Sequence, residues 1–331
     1  MGVDIGREKV KTILFMTLSN LGDVVLTTPV FQKLCEAFPE AVIDVSVGPA
    51  GSWIFDGHKA VREICVYERH RSFPNRLRHL RKIRRKDYDL VVDLKNTLIP
   101  FFAGSRFRMS FPVWIKDMIS RRSLHKKDEH LLKLKDLGID GRSENFFIPI
   151  TPENKRTIDG LMTDTGGRKT VLMNPGSKSH LKRWDARKYA ILSDRMMKEL
   201  GCRIFIAGRE DDDREIVDRV LSFVSGPVVD ICGKLSASAL AEFMRRSDIV
   251  ITNDSAPLHI ASAVDVPTIA IFGPSDERKY GPLSRRSRVI SPDVKCRPCG
   301  KALCSMGPEE GCISRINVED VFNAAKELLV G

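Results

Sequence analysis

Residues 248–283 read DIVITNDSAPLHIASAVDVPTIAIFGPSDERKYGPL, and this stretch predicts a strand, a loop, a helix, a second strand and a second loop. Ile249 to Ile251 and residues 266–272 are apolar runs with the length and composition of buried parallel strands. The polar run Asn253-Asp254-Ser255 ends the first strand, and a proline then suits the first turn of the helix. Two neighbouring strands therefore end in polar loops at the edge where open parallel sheets bind ligands. The helix start at this edge offers free N–H groups to a phosphate or a diol.

The overall composition predicts a soluble globular protein. The chain has 331 residues, of which 42% are apolar and 29% charged, and this length is enough for two domains. It contains no apolar run of 18 residues, so we expect no membrane-spanning helix. The first residues, MGVDIGREKVKT, lack the apolar core of a signal peptide, and we expect a cytoplasmic location.

The net charge of +11 lies mostly in the first half of the chain, which predicts an anionic partner for that half. Residues 69–86 are especially rich in Lys and Arg, and Leu77, Leu80 and Ile83 mark a helical apolar stripe within them. This segment is either a solvated helix face or a surface that meets anionic lipid or glycolipid phosphate. Nucleic acid also fits the charge, but no nucleic-acid motif or interleaved aromatic residues accompany it.

The first predicted strand covers residues 11–17, and the loop SNLGDVVLTTPV leads from it into a helix. Gly22 lies at the turn and Asp23 at the helix start, without the G-x-G-x-x-G spacing of a dinucleotide fold, which argues against a nicotinamide enzyme. Asp23 has two interpretations. It is either a carboxylate that the helix dipole stabilises or a general base that takes a proton from an attacking hydroxyl.

A second sheet is predicted to begin near residue 170, where the loop Asn174-Pro175-Gly176-Ser177-Lys178 directly follows an apolar strand. Lys182-Arg183-Trp184 comes next, before a helix that starts near residue 186. A Gly-Ser loop at a helix start binds phosphate through backbone N–H groups, and the basic residues add the charge that a leaving diphosphate needs. The alternative is an ordinary strand-to-helix loop with exposed lysines.

Two other polar clusters receive structural interpretations. The acidic run at residues 211–213 suits a helix start, where the helix dipole favours negative charge. Eight cysteines in a cytosolic chain argue against a disulfide framework. The last four have the spacing C-x2-C-x4-C-x7-C, which is compatible with zinc, and free thiols are the alternative. These four are Cys296, Cys299, Cys304 and Cys312.

These motifs together resemble those of glycosyltransferase family 9, the ADP-heptose:lipopolysaccharide heptosyltransferases. The resemblance rests on SNLGDVVLTTPV, NDSAPLHIASA, FGPSDERKYGP and the late cysteines, and it extends over nearly the whole chain. With the repeated β-then-α alternation, it implies an α/β protein of two doubly wound Rossmann-like domains that face a cleft, the GT-B arrangement. We expect an acceptor-binding domain over residues 1–150, a nucleotide-sugar-binding domain over 151–315, and a C-terminal helix over 316–331 that packs back toward the first domain.

The resemblance also implies site residues. Asp23 matches the acidic residue of the family's S-x-x-G-D pattern, so we expect it to be the catalytic base. The expected acceptor-binding residues on the same loop are Ser19, Asn20 and Gly22. The expected donor-binding residues are Ser177, Lys178, Lys182, Glu210, Leu235, Asp254, Ser255, Ala256 and His259. For the histidine, the alternative is a helix side chain satisfied by a local carbonyl. Neither a metal nor a cofactor is expected at the site.

The function that the resemblance implies is an inverting transfer of a heptose or related sugar from an ADP-activated donor. The acceptor would be a lipopolysaccharide core or a lipid-linked glycan, and the enzyme would lie on the inner face of the cytoplasmic membrane, whose anionic surface attracts its basic half. One alternative is an epimerase or hydrolase-type enzyme of the same fold, which would consume the donor without an acceptor. Another is a non-catalytic nucleotide-sugar-binding protein at the membrane surface, which would bind without turnover.

Overall fold

The computed structural model describes residues 9–67, 81, 83–97, 99–108, 124–163, 166–301, 303–305, 307 and 311–330. The chain divides into two compact units, Met1–Pro149 and Ile150–Gly331. Most of the basic segment 69–86, with Leu77 and Leu80, and much of the segment 100–127 lie outside the described residues. Within the described part, no helix combines the length and the apolar character needed to cross a bilayer.

The first unit contains a five-stranded parallel sheet with the order β3-β2-β1-β4-β5. Its strands are β1 (Thr12–Met16), β2 (Val42–Val47), β3 (Val61–Val66), β4 (Leu90–Asp93) and β5 (Phe107–Arg108). The described helices are α1 (Leu21–Ala37), α2 (Ile99–Phe102) and α3 (Lys126–Leu132), with short 3-10 helices at Pro49–Phe55 and Lys133–Leu137. The strand order runs outward in both directions from β1, so β1 and β4 flank the topological switch point of a doubly wound sheet.

Aromatic rings fill the core between this sheet and α1. The ring centroids of Phe15 and Phe31 are 5.9 Å apart, and those of Phe31 and Phe55 are 5.1 Å apart in an edge-to-face arrangement. All three side chains are fully buried. Phe147 also contacts Phe31, and its backbone N–H donates to Thr28 Oγ1 at 3.1 Å. These contacts fix α1, and with it the loop that precedes α1, on the sheet.

A buried carboxylate joins β2 to β3 and to the segment that precedes β4. Asp44 of β2 is fully buried and accepts two hydrogen bonds from Arg62, both at 2.9 Å, and one from Tyr88 Oη at 2.6 Å. Lys86 Nζ lies 2.6 Å from the same carboxylate. Burial favours the neutral acid, but the hydrogen bonds from Arg62, Lys86 and Tyr88 outweigh it and lower the pKa of Asp44 to about 2.

The second unit contains a six-stranded parallel sheet with the order β11-β10-β9-β6-β7-β8. Its strands are β6 (Thr170–Asn174), β7 (Arg203–Ile206), β8 (Val229–Asp230), β9 (Ile249–Asn253), β10 (Thr268–Ile271) and β11 (Ser287–Ile290). Its helices are α4 (Pro152–Met162), α5 (Ala186–Leu200), α6 (Glu210–Phe223), α7 (Ala237–Arg246), α8 (Ala256–Ala263), α9 (Glu277–Tyr280) and α10 (Val318–Val330). The order is again doubly wound, and the switch point lies between β6 and β9.

Local sequence signals set the ends of these helices. Asp185 caps α5 by accepting from Arg187 N, and Gly201 ends this helix with φ = +64°. Ser236 caps α7 by accepting from Ala239 N at 3.1 Å. α5 follows β6 and α7 follows β8 in the chain. Because all strands of the sheet are parallel, both helices start from its carboxyl edge.

The structure agrees with the elements expected for residues 248–283, since β9, α8 and β10 follow one another there. The sequence of residues 129–138, EHLLKLKDLG, predicts one amphipathic helix, but these residues form the end of α3 and a 3-10 turn that stops at Gly138, where φ is +67°. The closing helix α10 packs on α5 and on β9, β10 and β11 of its own unit. Its expected packing toward the first domain stays a prediction.

Candidate active site

Two polar loops meet at the switch point of the second sheet. β6 ends at Asn174 and β9 ends at Asn253, and a polar loop follows each strand. The two strands are neighbours, with Asn174 paired to Thr252. Because parallel strands end at the same edge, this register places the two loops next to each other.

A buried ion pair joins these two loops. Lys182 Nζ lies 2.6 Å from Asp254 Oδ2, with the lysine side chain 32% exposed and the aspartate side chain 5% exposed. The structure therefore brings together two of the expected donor-binding residues. The pair places a partly accessible ammonium at the edge where a diphosphate would need positive charge.

Asn253 holds the two loops in place. Its Nδ2 donates to the carbonyl of Pro175 at 2.7 Å, and its Oδ1 accepts from Tyr189 Oη at 3.1 Å. Trp184 N also donates to Oδ1, at 3.3 Å, and Trp184 Nε1 donates to Ile316 O at 3.1 Å. Burial raises the pKa of Tyr189 far above its ordinary value, so its hydroxyl stays a donor. The sequence analysis placed Asn253 in the loop but missed this structural role.

The turn of the first loop depends on a very close approach between Gly176 and Asp213. A Cβ atom at Gly176 would lie 2.2 Å from Asp213 Cγ, so any larger residue there requires the Asp213 side chain to move. Asp213 is buried in the first turn of α6, and its carboxylate accepts from Arg209 N at 3.0 Å. Ser177 is also buried, and its carbonyl accepts from Arg183 Nε at 2.7 Å. Lys178 is exposed and points to no described partner.

The start of α8 supplies the remaining expected residues at β9. Ser255 is the N-cap residue and Ala256 the first helical residue, so the first backbone N–H groups of α8 face this edge. His259 follows within the first turn and a half and is 6% exposed. Ser255 and Ala256 thus directly follow Asp254 of the ion pair in the chain, and the donor-binding roles of these residues and of His259 stay predictions.

Glu210 and Leu235 lie further along the same edge. Glu210 opens α6 after β7 and is exposed, and Leu235 follows β8 and is half-buried. Gly233, with φ = +71°, lies against the Glu210 side chain, where a Cβ atom would be 2.4 Å from Oε2. Glu210 therefore lies against the segment that carries Leu235. This segment and Glu210 are one or two strands away from the ion pair at the switch point.

The cysteine-rich loop packs on the loop after β10. Cys299 N donates to Pro274 O at 3.0 Å, and the Arg297 guanidinium bonds to the carbonyl of Gly273. Within the described part of the chain, none of the eight cysteines forms a disulfide bond, and burial raises the pKa of Cys312 above its ordinary value. Among the described residues, no group of three or more Cys, His, Asp or Glu side chains could hold a metal ion.

In the first unit, the expected base lies in the first turn of α1, directly after the loop that follows β1 and beside that sheet's switch point. Asn20 precedes α1, and its Nδ2 donates to Asp23 Oδ2 at 3.0 Å. The loop after β2 packs on the same segment, because a Cβ at Gly48 would lie 2.5 Å from Ser19 Cα. Asp23 is half-buried and Gly22 is buried. Ser19 and Asn20 thus lie on the loop after β1, and Gly22 and Asp23 lie in the first turn of α1, all at the carboxyl edge of the sheet. Their expected roles stay predictions.

The sequence analysis missed a second polar group at this switch point. Asp93, the last residue of β4, is buried and accepts from Lys95 N at 2.8 Å and from Thr97 N at 2.7 Å. Lys95 Nζ lies 4.8 Å from the centroid of the Tyr67 ring. In the sequence, a carboxylate followed two residues later by a lysine at a strand end indicates a polar turn and does not identify a site.

The two doubly wound sheets, each with polar loops at its switch point, define an α/β protein of two Rossmann-like units. The sequence model of Glycosyltransferase family 9 (heptosyltransferase) matches residues 76–309. The lipooligosaccharide heptosyltransferase 2 of Campylobacter jejuni serotype O:2 is 30% identical over 327 residues, which cover 93% of this chain and 95% of that protein.

Solved structures share the fold over the whole chain. The glycosyl transferase family 9 protein from Veillonella parvula DSM 2008 has a TM-score of 0.80 and 24% identity, covering 100% of this chain and 99% of that one. The E. coli ADP-heptose lps heptosyltransferase II has a TM-score of 0.76 and 20% identity, covering 96% and 98%. The chain belongs to glycosyltransferase family 9, and the expected GT-B fold class and glycosyltransferase activity are confirmed.

Proposed function

We propose that this protein transfers a heptose from ADP-heptose to a lipopolysaccharide core acceptor with inversion at the anomeric carbon. The observation that carries the proposal is the Lys182–Asp254 pair at the switch point of the second sheet, in a chain of the heptosyltransferase family. An ammonium at that edge suits the diphosphate of a nucleotide sugar. Relatives whose names include heptosyltransferase support the choice of sugar.

In this proposal the second unit binds the donor. The loop Asn174–Ser177 and the start of α8 present backbone N–H groups to the diphosphate. Lys182 exchanges its contact with Asp254 for the phosphate oxygens and stabilises the charge of the departing ADP. Glu210 and Leu235, further along the edge, contact the nucleoside. The residues Lys178, Ser255, Ala256 and His259 complete the donor site, and the chemistry uses no metal.

The first unit binds the acceptor and supplies the base. Asp23 takes the proton from the acceptor hydroxyl as that oxygen attacks the anomeric carbon and the bond to the diphosphate breaks. A base must lie within hydrogen-bond reach of the proton it removes, and a half-buried carboxylate at the edge of the sheet meets the requirement for access. Asn20, which donates to Asp23, holds the carboxylate in one orientation. Ser19 on the preceding loop and Gly22 in the first turn of α1 lie beside Asp23 in the chain.

The first test is the release of ADP from ADP-heptose in the presence of core-oligosaccharide acceptors. Asp23→Asn should lower kcat by about 100-fold or more, since general-base catalysis typically contributes that much, and it should leave ADP binding unchanged. Asp56→Asn removes an exposed carboxylate of the same unit and serves as the matched control. Turnover of Asp23→Asn at the control rate would remove the residue from the base role.

We also propose that the protein associates with the anionic surface of the inner membrane. The excess of Lys and Arg in the first half of the chain supports this, because each basic residue near such a surface contributes about 1 kcal/mol. Sedimentation with vesicles that contain anionic lipid should therefore fall as salt rises. Equal sedimentation with neutral vesicles would contradict an electrostatic association.

A further inference from the structure

We propose that Lys95 forms a subsite for an anionic group, a carboxylate or a phosphate, on the acceptor. This inference rests on the proposed function, because it assumes that the first unit binds the acceptor. Lys95 follows β4 at the switch point of the first sheet, on the strand that neighbours β1 and the Asp23 loop.

The Lys95 side chain reaches across the carboxyl edge of the sheet. Its ammonium lies 4.8 Å from the ring centroid of Tyr67, which directly follows β3. In the order β3-β2-β1-β4, the strands that precede these two residues are separated by β2 and β1, about 14 Å at the usual spacing of strands. The two side chains therefore extend toward each other over the ends of β1 and β2. This is the edge from which Ser19 and Gly48 emerge in contact.

The ammonium is desolvated without a hydrogen-bonded counter-ion. Lys95 Nζ is buried and donates no hydrogen bond to any residue that the structure describes. Burial lowers the pKa of Lys95 below its ordinary value, and the nearby Asp93 offsets this only in part. The Asp93 carboxylate already accepts from Lys95 N, Thr97 N and Thr97 Oγ1, so its oxygens are occupied by other donors.

The backbone around Lys95 is fixed on both sides. Asp93 holds the turn from Lys95 to Thr97, as described above. Lys133 Nζ donates to Asn96 Oδ1 at 2.9 Å and to Leu94 O at 3.3 Å. Asn96 adopts φ = +55°, a backbone conformation that these bonds stabilise. The position of the lysine is therefore set in advance, while its four-carbon stem keeps the freedom to turn toward a ligand.

An anion is the ligand that this arrangement favours. A buried cation that finds no acceptor among the described residues carries a desolvation cost that an opposite charge offsets, and a charge-assisted hydrogen bond is about twice as strong as a neutral one. A neutral hydroxyl would leave the charge uncompensated. The subsite therefore recognises a charged substituent near the accepting hydroxyl and contributes to the choice of acceptor.

The test compares Lys95→Met with the wild-type protein on three forms of one core acceptor. These forms are the intact oligosaccharide, the oligosaccharide with its carboxyl groups reduced to alcohols, and the dephosphorylated oligosaccharide. With the intact acceptor, Lys95→Met should raise the acceptor KM by about 10- to 100-fold and leave the KM for the donor unchanged. The difference between the two proteins should vanish for the form that lacks the recognised anion, which identifies it as carboxylate or phosphate.

A second readout does not depend on transfer. Calorimetric titration of the intact acceptor without donor should show the same loss of affinity in Lys95→Met, whereas ADP should bind both proteins equally. The melting temperature of Lys95→Met should equal or exceed that of the wild type, because the substitution removes an uncompensated buried charge. Lys135→Met, which removes an exposed lysine of the same unit, is the control for a change in net charge.

Three results would overturn the proposal: an unchanged acceptor KM in Lys95→Met, a rise that persists for all three acceptors, or a rise in the donor KM alone. A melting temperature well below that of Lys135→Met would indicate a structural role instead. Failure of the proposed function is distinguishable, since the wild-type protein would then neither release ADP from ADP-heptose nor bind the intact acceptor.

Discussion

The contact between Gly176 and Asp213 tests what holds the loop after β6, which we call the donor loop, in its conformation. In Gly176→Ala, the new Cβ would lie 2.2 Å from Asp213 Cγ and 2.2 Å from Oδ1. Carbon atoms pack at about 3.5–4.0 Å, so the Asp213 side chain, the loop or α6 must move by more than an ångström. Overpacking of this kind typically costs about 1–3 kcal/mol. We expect Gly176→Ala to lower the free energy of unfolding by this amount and to weaken ADP binding.

The double variant Gly176→Ala/Asp213→Ala separates this overlap from other effects. Asp213→Ala alone removes the hydrogen bond to Arg209 N, which costs about 1 kcal/mol. It also removes the three atoms that lie closest to the new Cβ, so the double variant should be about as stable as Asp213→Ala. The expected coupling energy is therefore about 1–3 kcal/mol in favour of the double variant.

Urea unfolding measures the stability of all four proteins, and calorimetric titration measures their affinity for ADP. The control is Gly160→Ala, because Gly160 lies within α4 and has open space where its Cβ atom would be. Gly201→Ala is not suitable, because the backbone at position 201 has φ = +64°. Gly160→Ala should therefore be neutral or stabilising. Strictly additive free energies for Gly176→Ala and Asp213→Ala would refute the close contact.

Three further predictions concern the ion pairs and the first loop. Lys182→Met should weaken ADP binding and lower stability by about 1–3 kcal/mol, less than for a fully buried pair because the lysine is a third exposed. Adding Asp254→Asn should restore stability but not ADP affinity, and recovery of both would remove Lys182 from the donor site. The hydrogen bonds that lower the pKa of Asp44 from 3.8 to about 2 contribute about 2 kcal/mol to the free energy of unfolding. This contribution is present above pH 4 and is lost as the pH falls toward 2. Asp44→Asn should flatten that part of the stability curve measured by urea unfolding, and an unchanged slope would contradict the assignment. Gly48→Ala, whose Cβ would meet the backbone of Ser19, should lower kcat more than it lowers ADP affinity, and equal losses would contradict a local effect on the Asp23 loop.

The sequence predicted the parts of this fold that depend on local pattern. The apolar runs and polar breaks of residues 248–283 correspond to β9, α8 and β10. The polar residues of the loop after β6 and of the loop after β9 were expected at one edge, because parallel strands fix which ends lie together. The pairing of Lys182 with Asp254, separated by 72 positions, was not predictable in this way, since it depends on the order of strands in the sheet.

Lys95 lay beyond sequence reasoning for a related reason. Its neighbours in sequence, Leu94 and Asn96, indicate only a polar turn after a buried strand. The ammonium becomes distinctive because Tyr67 approaches it from the far side of two intervening strands. Desolvation of a charge depends on the surrounding fold, so short-range sequence patterns do not predict it.

Asp213 shows a case where the sequence held more information than its acidic neighbours suggested. Asp211, Asp212 and Asp213 all suit the start of α6 by charge, and the first two are exposed. Only Asp213 stands three and four positions before Ile216 and Val217, on the buried face of the helix. A carboxylate on the apolar face of a first helical turn must find hydrogen bonds at the end of the sheet, and here it reaches Arg209 N beside Gly176. The helical period thus distinguishes the one aspartate that shapes the donor loop from two that only complement the helix dipole.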